Sequence, residues 1–157
     1  MKVLVVSDSH GNIRALRRAF AVTGPDLILH LGDHDRDCDE LRRDFPDILI
    51  RAVRGNCDPH SMELDADNFV MEGVRFFMVH GHNHGVKYSL DSLITSGLYM
   101  EADVVLFGHT HRPYAKYVDG MLVLNPGSVG MNRKTYAVLE VGHGEVKYEL
   151  CELGMWD

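Results

Sequence analysis

Apolar runs along this chain repeatedly stop at small polar clusters. Met1-Lys2-Val3-Leu4-Val5-Val6 breaks at Ser7-Asp8, as a buried parallel strand does at its carboxyl end. From Asn12 the period changes. Ile13, Leu16 and Phe20 share one helical face, Arg14, Arg17 and Arg18 lie largely on the other, and Asn12 can cap the first turn. Thr23-Gly24-Pro25-Asp26 ends that helix. Leu27 to Leu31 predicts a second buried strand, closing at Gly32-Asp33. Cys38 to Asp44 predicts a short helix stopped by Pro46, and Ile48 to Val53 a third strand that empties into Gly55-Asn56-Cys57-Asp58.

The character then changes. Phe69 to Met71 and Val74 to Val79 flank Glu72-Gly73, a two-residue hairpin signal, and the second strand runs into His80-Gly81-His82-Asn83-His84-Gly85. Apolar positions 90, 93, 94 and 98 predict a helix over Ser89 to Glu101. Val104 to Phe107 predicts a strand ending in Gly108-His109-Thr110-His111. Two strands surround Asp119-Gly120 before Asn125-Pro126-Gly127-Ser128, and two more, near 135–141 and 145–151, surround Gly142-His143-Gly144. The pattern is α/β in the first half and increasingly antiparallel in the second. With no linker, repeat or low-complexity tract, residues 1–157 are expected to form one domain.

Composition narrows the function classes. A hydrophobic fraction of 45% with 25% charged residues is ordinary for a globular chain and argues against disorder. The net charge of -7 argues against loose electrostatic binding to nucleic acid or an anionic membrane. No apolar run reaches the roughly 18 residues of a membrane span, and the first strand turns polar too early for a signal peptide. Three widely spaced cysteines, 38, 57 and 151, make no Cys-x-x-Cys pair and predict a reducing, cytoplasmic setting. The oddity is ten histidines, several beside Asp, Asn and Gly.

Five predicted strands end in clusters of metal-ligand side chains: Asp8-x-His10, Gly32-Asp33, Gly55-Asn56, His80-Gly81 and Gly108-His109-Thr110-His111. In open α/β sheets functional residues gather beyond the carboxyl ends of strands, so these clusters are expected to converge. Two aspartates, an asparagine and four histidines are nitrogen and oxygen donors without thiolate. They suit Mn(II), Fe, Zn, Ni or Co better than Mg or Ca. Seven ligands exceed one tetrahedral zinc and match two metals sharing a carboxylate. The bland alternatives are polar turns and helix caps for these positions. His34, His82 and His84 are read equally as substrate neighbours or exposed loop residues. His30 is assigned to its buried strand, His60 and His143 to surface loops, and Cys38 and Cys151 to small apolar positions. The Arg14, Arg17 and Arg18 cluster reads as a solvated helix face.

Taken together, Asp8-Ser9-His10-Gly11-Asn12, Gly32-Asp33, Gly55-Asn56, Val79-His80-Gly81, Gly108-His109-Thr110-His111-x-Pro113 and Asn125-Pro126-Gly127-Ser128 resemble the calcineurin-like metallophosphoesterases, in their small bacterial and archaeal phosphodiesterase branch. The resemblance covers the whole chain. It implies a four-layer α/β/β/α sandwich of two packed mixed sheets flanked by helices. It also implies a dinuclear site with Asp8, His10, Asp33 and His111 on one ion and Asp33, Asn56, His80 and His109 on the other. Manganese is the expected metal, and two ions roughly 3.5–4 Å apart would supply a hydroxide for in-line attack on phosphorus. Asp33, Asn56, Cys57 and His80 are the expected catalytic residues. Asn12 and Cys57 are the expected substrate contacts, with Cys57 standing where the family often carries a histidine that helps the departing oxygen. The expected partners are a small phosphoester, as diester, and a second copy of the chain. The alternatives are a phosphomonoesterase or nucleotidase on the same site, and a non-catalytic interaction module such as the retromer subunit that resembles this family.

Overall fold

In the computed structural model, which describes residues 1–155, β1 (Lys2–Val6) sends alternate side chains to opposite faces. Val3 and Val5 point into a core between two sheets, while Leu4 and Val6 point to helices on the outside. Both faces are apolar because both are covered, which explains the unbroken hydrophobic run. The chain continues through α1 (Ile13–Thr23), β2 (Leu27–His30), α2 (Asp37–Asp44), β3 (Leu49–Ala52), β4 (Ala66–Met71) and β5 (Val74–Val79). After a single 3₁₀ turn at His82–His84 come α3 (Asp91–Tyr99), β6 (Val104–Leu106), β7 (Pro113–Val118), β8 (Met121–Pro126), β9 (Thr135–Gly142) and β10 (Glu145–Glu152).

Two five-stranded mixed sheets result, in the orders β10-β9-β1-β2-β3 and β4-β5-β6-β8-β7. Strands β1, β2 and β3 run parallel, as do β5, β6 and β8. Between the sheets, Val3, Val5, Leu27 and Leu29 meet Phe76, Met78, Val104, Leu106, Leu122 and Leu124. Each such side chain contributes about 1.5–3 kcal/mol by leaving water. Leu16 of α1 and Leu41 of α2 cover Leu4, Val6 and Ile28 on the first sheet's outer face. Leu93 of α3 covers Phe77, Val105 and Val123 on the second. The layers are therefore helix, sheet, sheet, helix, as expected.

Three details differ from the sequence pattern. The second half is not simply antiparallel: it contributes three parallel strands, and its last hairpin, β9–β10, returns to the first sheet beside β1. Local periodicity cannot say which sheet a strand joins. Helix α3 is shorter than Ser89 to Glu101, because the Ser89 hydroxyl accepts the Asp91 amide at 3.1 Å and starts the helix later. Leu98 is 44% exposed, and Gly97 makes the close contact with Val105 and Met121 instead. No helix among the described residues is long and apolar enough to cross a membrane. His60 and His143 are exposed, and Arg17 on the solvated face of α1 pairs with Asp44 at 2.6 Å, as the bland readings held.

Candidate metal centre

The carboxyl ends of β1, β2, β3, β5 and β6 meet, and all seven anticipated donors lie there. Asp8, His10, Asp33 and His111 form one group whose ligand atoms are within 4.8 Å of one another; Asp33, His80 and His109 form a second. Asn56 joins the second group, its Oδ1 lying 3.0 Å from His80 Nε2. Asp33 belongs to both. Asp8, Asp33 and His80 are buried, and the other donors open toward solvent.

Turning inward costs backbone strain. Asp8, His10, Asp33, His109 and His111 all have φ between 46° and 69°, a region that disfavours L residues by about 1 kcal/mol or more each. Surrounding hydrogen bonds hold them. Asp8 Oδ2 accepts the Ser7 hydroxyl and, at 3.1 Å, the His109 amide, while the Asp8 carbonyl accepts Ser128 Oγ at 2.8 Å. Asn125 ties the last ligand loop down. Its amide donates to the Gly108 carbonyl and to Thr110 Oγ1, both at 3.0 Å, and its oxygen accepts the Gly127 amide. The anticipated turn at 125–128 thus braces the site.

The donors fit a cation. His80 Nδ1 lies 2.7 Å from the Leu31 carbonyl, which can only accept, so Nδ1 carries a proton and, in the neutral ring, the Nε2 lone pair faces inward. Nε2 then faces Asn56 Oδ1 at 3.0 Å, His109 Nδ1 at 3.2 Å and Asp33 Oδ1 at 3.5 Å. In the first group His10 Nε2 is buried without any hydrogen bond, 3.8 Å from both Asp8 Oδ1 and Asp33 Oδ2. Converging lone pairs repel unless a positive charge joins them.

The titration directions divide the donors: His80 and His111 lean toward protonated rings that a bound cation would have to deprotonate, and His109 leans toward the neutral one. Burial opposes a charged Asp33, yet its bond to His80 holds the carboxyl well below the usual range. Burial likewise works against protonated His80, but Asp33 and Asp8 outweigh it and raise that imidazole. The Asp8 hydrogen bond raises His111. Burial, with the charges of His80 and Lys87, lowers His109 to about 4, leaving a neutral imidazole able to ligate. Burial and the negative Asp33 push the Cys57 thiol up. Cys57 is exposed, and its amide donates to Asp33 Oδ1 at 2.9 Å. Asn12 caps α1, accepting the Ala15 amide at 3.1 Å, and its nitrogen lies 3.5 Å from the Gly130 carbonyl.

Several supporting residues escaped the sequence reading. The buried Asp58 carboxylate accepts the amides of Asp33, His34, Asp35 and Gly55 at 2.8 to 3.3 Å, clamping the second ligand loop to the third. Its signal was present, since Asp in a Gly-Asn-x-Asp loop commonly accepts nearby amides. Asp37 accepts Ser9 Oγ at 2.6 Å and the Gly11 amide at 2.8 Å. At Gly130 a Cβ would overlap the Ser9 carbonyl. No local pattern marks that long-range contact.

Fold and site together define an α/β sandwich with a candidate metal centre at converging strand ends. Residues 1–144 match the calcineurin-like phosphoesterase superfamily domain, and the chain belongs to that family. Phosphodiesterase MJ0936 of Methanocaldococcus jannaschii is 31% identical over 81% of this chain and 83% of its own. A Streptococcus pneumoniae protein described as a predicted phosphoesterase superposes with TM-score 0.78 at 28% identity, covering 96% of this chain and 88% of that one. Wild-type Vps29 of Entamoeba histolytica, complexed with Zn(II), superposes with TM-score 0.74 at 22% identity over 97% and 99% of the two chains, a likeness of fold alone.

Proposed function

We propose that the protein is a dinuclear metal-dependent phosphodiesterase. Asp8, His10, Asp33 and His111 would hold one divalent ion, and Asp33, Asn56, His80 and His109 the other. Imidazole and carboxylate donors without thiolate favour Mn(II), with Fe, Zn, Ni and Co as the other candidates. When bound, such a pair supplies Lewis acidity toward phosphoryl oxygens and an acidified water at neutral pH. The chain's own residues set the geometry. Asp33 carries the charge shared between both halves, and Asp58 fixes the turn that presents it. His109 stays neutral and ready, and Asn12 caps the first turn of α1 through the Ala15 amide. Cys57 offers a neutral S–H beside Asp33, a weaker proton source than an imidazolium.

The observation that carries this reading is the inward convergence of lone pairs from His80 and the unbonded His10. Family membership and the phosphodiesterase name of a relative support the reaction class. The test is hydrolysis of bis(p-nitrophenyl) phosphate and p-nitrophenyl phosphate by Mn(II)-loaded protein. The diester should be cleaved faster, and a chelator should abolish both activities. A tenfold preference for the monoester would replace the diesterase reading with a phosphomonoesterase. No cleavage of either, with metal bound, would favour the non-catalytic interaction module, whose fold Vps29 shares.

A further inference from the structure

Two recesses of about 550 Å³ flank the metal-ligand cluster, and their linings differ in charge. The first is bounded by His34 and Cys57 and carries Asp35, Asp39 and Glu63. Its Arg42 is already engaged, at 3.0 Å from Asp39 and 3.5 Å from Glu63. Its side chains carry more carboxylates than cations, Asp35, Asp39, Asp58 and Glu63 against Arg36 and Arg42.

The second recess begins at Thr110, between the ligands His109 and His111. Part of its lining is apolar: Phe107 and Val86 are buried, Leu90 is half-buried, and the Tyr114 ring lies edge-on to Phe107 at 6.2 Å. Lys87 and Arg112 stand exposed at the same recess, and neither makes an ion pair among the described residues. Lys87 is near enough for its charge to act on both His109 and His111. Elsewhere on this acidic chain arginines such as Arg17, Arg51, Arg54, Arg75 and Arg133 are matched with carboxylates. Two unmatched cations beside an apolar floor, next to the ligand cluster, complement an anion attached to a ring. The volume falls within the range of small-ligand pockets.

We propose that this recess is the subsite for a ring-bearing substituent of the phosphoester, aryl or nucleoside in character, with Lys87 and Arg112 facing the phosphoryl charge. The substituent packs on Val86, Leu90, Phe107 and Tyr114. For its phosphoryl end the assignment rests on the phosphoesterase reading, and it adds the substrate class. Methyl-sized substituents leave the floor uncovered and bind more weakly.

The test is direct binding to Zn(II)-loaded, ¹⁵N-labelled protein, with phenylphosphonate and methylphosphonate as non-hydrolysable probes. Phenylphosphonate should bind roughly 10- to 100-fold more tightly, the scale expected for burying one ring. Its amide shifts should include Val86, Lys87, Leu90 and Tyr114 beyond those methylphosphonate produces. Leu90→Asn should shrink the ratio to about threefold or less, and Lys87→Gln, at an exposed position, should weaken both probes while keeping the ratio. Equal affinities, a ratio unchanged in Leu90→Asn, or ring-dependent shifts confined to Cys57–Glu63 would overturn the assignment. The same preparation assayed for diester hydrolysis separates the two claims. Ring-selective binding without turnover keeps the subsite and removes the enzymatic reading; turnover without ring selectivity does the reverse.

Discussion

His30 is fully buried at the end of β2, and its hydrogen bonds fix its tautomer. The Gly32 amide donates to Nδ1 at 3.2 Å, so Nε2 donates to Ser9 Oγ at 2.9 Å, and the Ser9 hydroxyl passes its proton toward Asp37. This relay joins the loop bearing Asp8 and His10 to the loop bearing Asp33. Burial lowers His30 to about 4, against 6.5 when unfolded. Between those values the unfolded chain binds a proton that the folded one refuses. The contribution of neutral His30 to stability is thus complete above pH 6.5 and is lost as pH falls toward 4. Urea unfolding in chelator should show wild type losing about 2–3 kcal/mol relative to His30→Gln between pH 7 and pH 4.5. Parallel pH profiles for the two proteins would remove His30 from this role. The sequence placed His30 correctly in a buried strand. It could not show the relay, because Ser9 and Asp37 are distant in the chain.

Cys57 gives the second expectation at this scale. Its thiol is pushed up and stays neutral, so it contributes no positive charge near the substrate. Cys57→His should raise turnover of esters with alkyl leaving groups by up to about tenfold, below the 10²–10⁴ of a well-placed general acid. Nitrophenolate needs no proton to depart, so nitrophenyl esters should gain less. Equal gains for both leaving groups would show that the position does not serve proton transfer.

At the scale of elements, the loops after the strands are packed against one another with no slack. Gly55 follows β3, and a Cβ there would overlap both the Asp33 carboxylate and its amide. Gly55→Ala should therefore displace Asp33, costing about 1–3 kcal/mol of stability and most of the metal affinity. Elemental analysis beside thermal unfolding checks both, and full metal content in the variant would show that the loop has room. The strand ends were legible because buried parallel strands announce themselves as β-branched runs that stop at polar residues. The bracing of those ends was not. Asn125 reaches back to Gly108, and Asp58 to Asp33, over separations that no local pattern records. The same limit explains the length of α3, which depended on the Ser89 hydroxyl meeting the Asp91 amide and on Gly97 rather than on Leu98 facing the sheet.

For the whole molecule, the two-sheet construction places buried Asp8 and Asp33 at one edge while the chain carries a net charge of -7. Such a protein attracts a phosphate ester only where local charge is positive. Two divalent ions would bring four positive charges, of which Asp8 and Asp33 would return two, and the unmatched Lys87 and Arg112 would extend the positive region. The ligand residue types could be read from the chain because chemistry restricts them. Their assembly from two sheets could not, since the return of β9 and β10 beside β1 is a property of topology. The central claim is that both halves of the site hold metal through the shared Asp33. Its most direct test is the metal content, by elemental analysis after Mn(II) loading and desalting, of wild type and Asp33→Asn. Wild type should retain two ions per chain, and Asp33→Asn should lose more metal than any single histidine variant. One ion per chain in fully active wild type, or two in Asp33→Asn, would contradict the account.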